Sequence, residues 1–494
     1  MNKNKLYIIG LLFSSLSFTA CHDELLNPVP ESTLTTANAF ETAADIDLAT
    51  LGVYQSYQAR ISTDYELMET PSDNMYGSYF ATAPGMAEIA LLDVSSDNPR
   101  LNAFWKSSYN GIFRANSVLT NIEKPTDYAE GQKEKLMAET KFMRALFYFD
   151  LVRIFGGVPA VTTIITETEA KEIPRASEEE IYDLIIADLN DAKNNLPNPD
   201  ATPAGRASSA AAAGLLAKVH VYRKNWAEAK ANLEQLLNNY NFSLVADYKN
   251  LFQIATENNS EVIFSMPFVS GTNGHGLTYA LSPHGGVYQV INNGSRVARP
   301  TWDLHKAYEE GDTRFEATIT EEQIPFAWKQ GDPPIWYPYF NKWIIPVEIS
   351  NSSGLDIPVL RLADMILLYA EALYYSGQTA EALTQLNKVR ARAFKNSDHN
   401  YTAADIANEE MFLDKLLLER RLELAVENNR WFDLVRTGRF TEVLTSIEGE
   451  YNPSTGKAVM INVNAKPFMK YFPIPYEQIQ LSSPGVLKQN EGYK

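Results

Sequence analysis

Two stretches of this chain share one plan, and that plan limits the fold more than any other feature. Residues 208–239 read "SSAAAAGLLAKVHVYRKNWAEAKANLEQLLNN" and residues 357–393 read "IPVLRLADMILLYAEALYYSGQTAEALTQLNKVRARA". Each is a helix ending in tyrosine, a short polar break, and a second helix opening with "NWAEA" or "QTAEA". Alanine and leucine recur at close-packing positions, and small residues let neighbouring helices approach. A single pair of this kind cannot bury its apolar face and needs another pair beside it. The breaks are expected at Lys224-Asn225 and at Ser376-Gly377.

Other segments keep the helical period. Leu136, Phe142, Ala145, Leu146, Phe149 and Val152 fall three and four apart, and Gly156, Gly157 and Pro159 end the run. Ser177 and Glu180 form a capping box at the start of another helix. Residues 409–439, "EEMFLDKLLLERRLELAVENNRWFDLVRTGR", read as one long helix ending near Gly438. Strand signals are sparse, with "EVIFSMPF" and "YFPIP" the best. Residues 271–355 differ, being rich in Gly, Pro and aromatics and holding four of the seven tryptophans, Trp302, Trp328, Trp336 and Trp343. A loop excursion of that length inside a helical chain is more often functional than decorative. The expected fold is mostly α: a tetratricopeptide-repeat-like helical scaffold with a large irregular, loop-rich insertion and few short strands. Its parts are the first scaffold segment, 41–270, the aromatic insertion, 271–355, and the last scaffold segment, 356–494.

The chain begins with Lys3 and Lys5 and an apolar stretch, Leu6 to Ala20. That stretch falls short of the roughly 20 residues a spanning helix needs and has the shape of a secretory signal. It closes on Thr19-Ala20-Cys21, and Cys21 is the only cysteine in 494 residues. A thiol at the cleavage point suits a bacterial lipoprotein signal, because several acyl chains hold a membrane where one does so only marginally. Residues 1–20 are therefore expected to be the signal peptide and 21–40 a lipidated tether. With one cysteine there is no intramolecular disulfide, so the core must supply the stability. Formal charge is −18, from 43 basic and 61 acidic side chains. Such a chain does not hold nucleic acid by general electrostatics; it suits an extracellular surface and neutral ligands.

Read together, several of these stretches resemble the SusD/RagB family of outer-membrane lipoproteins. "AETKFMRALFYFDLVRIFGGVP", "GRASSAAAAGLLAKVHVYRKNW", "LRLADMILLYAEA" with "LNKVRARA", "LLLERRLELAVENNRWFDLVRTG", "YFPIPYEQIQLSSP" and "QNEGY" occur in the family's order. His22, Asp23 and Glu24 after the cysteine resemble the signal that sends Bacteroidetes lipoproteins to the cell surface. The resemblance implies four helical repeat pairs. It also implies a surface glycan-binding protein, anchored at Cys21, that caps a TonB-dependent transporter of the SusC type and is not an enzyme. Binding of a non-glycan nutrient, a repeat-type protein adaptor and a glycosidase are the alternatives.

The residues bear on these alternatives. Glu419, Glu423 and Glu427 are spaced for one helix face. A glycosidase needs two carboxyls on opposite sides of a sugar bond, which one face cannot provide. They read instead as an ion-pair network, with Arg420, Arg421 and Arg430 close enough in sequence to supply the cations. No catalytic residues are assigned. The six histidines show no zinc spacing, so no metal or cofactor is expected, although loop carboxylates leave room for a structural calcium. A sugar ring presents an apolar CH face and a hydroxyl edge, so flat aromatics with polar neighbours are the expected ligand groups. The candidates are Trp328, Trp336, Tyr337 and Tyr339 in the insertion and Tyr76 and Tyr79 in an N-terminal loop. Asp73, Asn74, Asn292, Asn293 and Arg296 are their polar neighbours. Trp105, Trp226, Trp302 and Trp431 are assigned to packing.

Overall fold

The computed structural model describes residues 39–77, 83–283, 294, 298–325 and 334–493. Four helix pairs make the scaffold. Ala43–Ile61, which opens on a capping box between Thr42 and Asp45, packs on Pro99–Asn121. Gln132–Phe155 packs on Glu178–Asn195, Ser209–Tyr222 on Trp226–Asn239, and Leu362–Tyr375 on Thr379–Phe394. Successive pairs touch: Ala43–Ile61 meets Gln132–Phe155, Glu178–Asn195 meets Ser209–Tyr222, and Trp226–Asn239 meets Leu362–Tyr375. Each pair thus buries the face it cannot bury alone.

Local chemistry sets the helix ends. Ser177 accepts from the Glu180 N–H, and the Glu180 carboxylate accepts from the Ser177 N–H. Lys224 and Gly377 turn the two repeat hairpins with φ of 56° and 78°. Trp226 stacks on Tyr375 across the third and fourth pairs at 4.4 Å. Trp431 is fully buried, and Trp105 packs against Phe155 at 5.1 Å.

One expected helix is two. The chain is helical over Glu409–Glu423 and Arg430–Arg436 and open between them. The backbone of that opening is bonded to other parts of the fold. The N–H groups of Val426 and Asn428 donate to the Glu69 carboxylate at 3.1 and 3.0 Å. The carbonyls of Ala425 and Val426 accept from Lys342 Nζ and Trp343 Nε1 at 2.6 and 2.8 Å. Val426 and Asn428 both take φ of 61°. Partners distant in sequence thus replace the i to i−4 bonds.

The described strands form four two-stranded antiparallel sheets. β1 (Met75–Tyr76) pairs with β3 (Arg299–Pro300), and β2 (Val262–Met266) with β6 (Ile357–Arg361). β4 (Ile319–Pro325) pairs with β5 (Pro334–Phe340), and β7 (Ile447–Asn452) with β8 (Lys457–Ile461). "EVIFSMPF" contains β2, whereas "YFPIP" is not a strand; its Phe472 N–H donates to Ile154 O at 2.8 Å and ties it to a helix end.

The carboxylates of the 419–427 segment are buried in ion pairs, though not with the expected cations. Arg314 reaches Glu419 at 2.6 Å and Glu423 at 3.2 Å. Arg361 joins Glu423 and Glu427, both at 2.6 Å, while Arg392 also reaches Glu423 and Lys342 reaches Glu427. Burial opposes the Glu423 charge, but Arg392, Arg361 and Arg314 outweigh it and hold the carboxyl far below the ordinary range. Arg420 goes instead to Asp364 and Asp433, each at 2.7 Å, and Arg421 and Arg430 go to Asp73. Sequence neighbours on one helix point apart, and fully buried charges persist only where partners reach them.

Candidate functional site

Thr301 starts a short helix, Trp302–Ala307, by accepting the Leu304 N–H at 3.1 Å. Trp302 and His305, three residues apart, therefore project from one face. The hairpin of β7 and β8 docks there through Glu448, whose N–H donates to Asp303 at 2.7 Å and whose carboxylate pairs with Lys306 at 2.8 Å. That docking brings Tyr451 onto Trp302. The indole lies between Tyr451, 4.0 Å away at 11°, and His305, 4.2 Å away at 24°. Trp336, on β5, stands across this stack, 5.6 Å from Tyr451 at 81° and 6.1 Å from Trp302 at 77°. Glu321, on the neighbouring strand, holds His305 Nε2 at 2.7 Å. All four rings of the platform are partly exposed.

A cleft of about 690 Å³ opens beside the stack. Trp302, His305 and Phe315 form its aromatic wall, and Glu309, Glu310 and Glu316 stand on its rim with Lys249, Lys306 and Lys395. Apolar faces beside hydroxyl-binding side chains suit a ligand that has both kinds of surface.

The strand pleat separates the candidates of the insertion. Trp336 faces the platform, whereas Tyr337 and Tyr339 are buried at 2% and 1% exposure. Tyr337 lies under the Arg299 guanidinium, 4.0 Å from its ring centre, and Arg299 in turn donates to Glu450 at 2.7 Å. Asp73, Asn74 and Tyr76 are also buried, at 3%, 0% and 8%. Asp73 accepts two bonds from Arg430, at 2.7 and 2.9 Å, and Asn74 accepts from Arg421 Nε at 2.8 Å. Burial alone would raise the Asp73 pKa, but Arg421 and Arg430 hold it down to about 2. Charges this well paired belong to the frame of the site and not to its surface. Trp328, Tyr79, Asn292, Asn293, Arg296 and Cys21 lie outside the described residues.

Trp302, His305 and Tyr451 are the platform residues that sequence reasoning missed. A faint signal exists for all three. "TWDLHKA" places an N-cap before a Trp and a His one turn apart, and "EYNPSTGK" carries a turn flanked by strand residues. Among the described residues, no three His, Cys, Asp or Glu side chains converge as a metal site. No described helix is long and apolar enough to cross a membrane.

Fold and site together describe a helical-repeat protein with an open aromatic platform. Residues 329–493 match the model of the SusD family, and residues 25–221 match a model described as starch-binding associating with outer membrane. Both matches are to SusD-type families, and together they cover most of the chain. Over the whole chain it is 26% identical to SusD-like protein P25 of Formosa agariphila, aligning with 99% of that protein. It is 24% identical to the starch-binding protein SusD of Bacteroides thetaiotaomicron, over 78% of this chain and 77% of that one. Among solved structures, a laminarin-binding SusD-like protein superposes with a TM-score of 0.75 at 27% identity, over 92% of this chain and all of that one. A SusD-like protein from Bacteroides fragilis reaches a TM-score of 0.79 at 23% identity, over 93% of this chain and 99% of that one.

Proposed function

We propose that this protein is a cell-surface lipoprotein, anchored through Cys21, that captures oligosaccharides without cleaving them and hands them to a TonB-dependent transporter of the SusC type. The observation that carries the binding role is the platform of Trp302, Trp336 and Tyr451 beside an open cleft. Stacking covers the CH face of a sugar, and the carboxylates and lysines of the rim take its hydroxyls. The names of the relatives, one starch-binding and one laminarin-binding, support the same ligand class. The cleft is lined by more carboxylates, Asp247, Glu309, Glu310 and Glu316 with the buried Asp312, than lysines, Lys249, Lys306 and Lys395, which favours a neutral chain over a sulfated or uronic one. Capture without cleavage accords with Glu419, Glu423 and Glu427, whose charges are spent on arginines and a lysine.

The test is calorimetric titration of the soluble form, starting at His22, with laminarin and starch oligosaccharides. Saturable binding that weakens in Trp336→Ala supports the reading, and a bound sugar recovered at unchanged length supports capture without cleavage. No binding to any neutral glycan, with or without a co-expressed transporter, overturns it.

A further inference from the structure

Thr301 is held from behind by a segment that touches no part of the cleft. Its N–H donates to Asn74 O at 3.0 Å, and its Oγ1 donates to Asp73 O at 2.6 Å. The next residues back continue the seam as β1 and β3, with Met75 opposite Pro300 and Tyr76 opposite Arg299. Asp73 and Asn74 are themselves clamped. Arg430 grips the Asp73 carboxylate with two nitrogens, and Arg421 Nη2 donates to Asp73 O at 2.7 Å while its Nε holds Asn74. Asn74 Nδ2 donates onward to Glu69 at 2.7 Å, the carboxylate that also secures the opening between the Glu409–Glu423 and Arg430–Arg436 helices.

We infer that Asp73 is a positioning residue for the aromatic platform: clamped by Arg421 and Arg430, it fixes Thr301 and so sets the place of the Trp302 indole. The inference rests on the proposed glycan reading for its effect on affinity, but not for its effect on the ring. Trp302 is the shared member of the stack, touching Tyr451, His305 and Trp336. Any shift of its backbone moves the surface the other rings build. Thr301 Oγ1 is also the N-cap, whose loss leaves the Leu304 N–H of a six-residue helix without its acceptor. A platform fixed before the ligand arrives avoids the entropy of ordering it on binding. Buried polar groups satisfied on every side hold one geometry, which is what such a platform requires.

The test labels the soluble protein with 5-fluorotryptophan and follows the Trp302 resonance, assigned by its loss in Trp302→Phe. Two variants are compared. Asp73→Asn removes the charge from the clamp, and Thr301→Val removes the hydroxyl link to Asp73 O together with the cap bond from the Leu304 N–H, while leaving every ion pair in place. The expected result is a shifted or broadened Trp302 resonance, with the Trp431 resonance of the core unchanged and cooperative melting retained. Affinity for a laminarin oligosaccharide, where the wild type binds it, falls about tenfold in the same variants. Should Asp73→Asn fail to fold, Thr301→Val decides. An unmoved Trp302 resonance in a folded Thr301→Val protein overturns the inference, whatever the glycan result. A moved resonance in a protein that binds no glycan keeps the positioning role and sinks the glycan reading alone.

Discussion

Trp302 and Trp336 contribute differently to one surface. Trp302 is covered by Tyr451 and His305, so it organises the platform, while Trp336 lies across the stack with a face of its own to offer. Trp336→Ala is expected to weaken glycan binding about tenfold with little change in melting temperature, since large aromatic anchors carry most of the binding energy at such sites. Trp302→Ala is expected to lose as much affinity and also to release Tyr451, seen as a loss of aromatic circular dichroism. Equal affinity in both variants and the wild type would place the ligand elsewhere. At this scale the sequence was only partly legible. Type and spacing pick out Trp336, but the burial of Tyr337 and Tyr339 depends on which side of β5 faces the protein. One register step exchanges those sides. Asp73 looks like an exposed loop acid until Arg421 and Arg430, far along the chain, are seen to close on it.

Among the elements, helix ends set by caps and turns were legible, while the packing of one helix pair on the next was not. Gly111 illustrates why small residues sit at the pair interfaces. A Cβ placed there would lie 2.1 Å from the ring of Phe147 on the neighbouring pair. Helix propensity alone predicts that Gly111→Ala stabilises the protein by about 1 kcal/mol. Packing predicts the reverse, a loss of about 1–3 kcal/mol from overfilling a closed interface. Urea unfolding of the variant separates the two, and a raised midpoint would contradict the contact. The opening at 424–429 was not legible. Its residues have ordinary helical periodicity, and only Glu69, Lys342 and Trp343, brought in from outside the segment, take up its backbone groups.

For the whole molecule, buried charge sets the response to acid. Asp73, with a folded pKa of about 2 against an ordinary 3.8, contributes stability that is fully present above the unfolded value and lost as pH falls through the folded one. Its share is about 2 kcal/mol, given up between about pH 4 and 2. Burial also opposes the charges of Asp364 and Asp433, but their basic partners outweigh it, so both have lowered pKa values and act in the same direction. Asp64 acts oppositely. Burial raises its pKa despite Arg60, so its contribution is present in acid and is lost as pH rises. Melting temperature is therefore expected to drop steeply below about pH 4, and the drop should be shallower in a folded Asp73→Asn protein. An identical acid limb in that variant would show that the clamp carries no linkage.

The sequence by itself determined the two repeat hairpins, their breaks and the helix caps. Those features rest on residues within a few positions of one another, where periodicity and capping chemistry act. Tertiary structure decided which arginines meet which carboxylates, where the last long helix opens, and that Trp302, Trp336 and Tyr451 stand together. Each of those outcomes joins residues far apart in the chain. Their meeting follows from how the helix pairs stack and how the β7–β8 hairpin docks, and no local spacing encodes it.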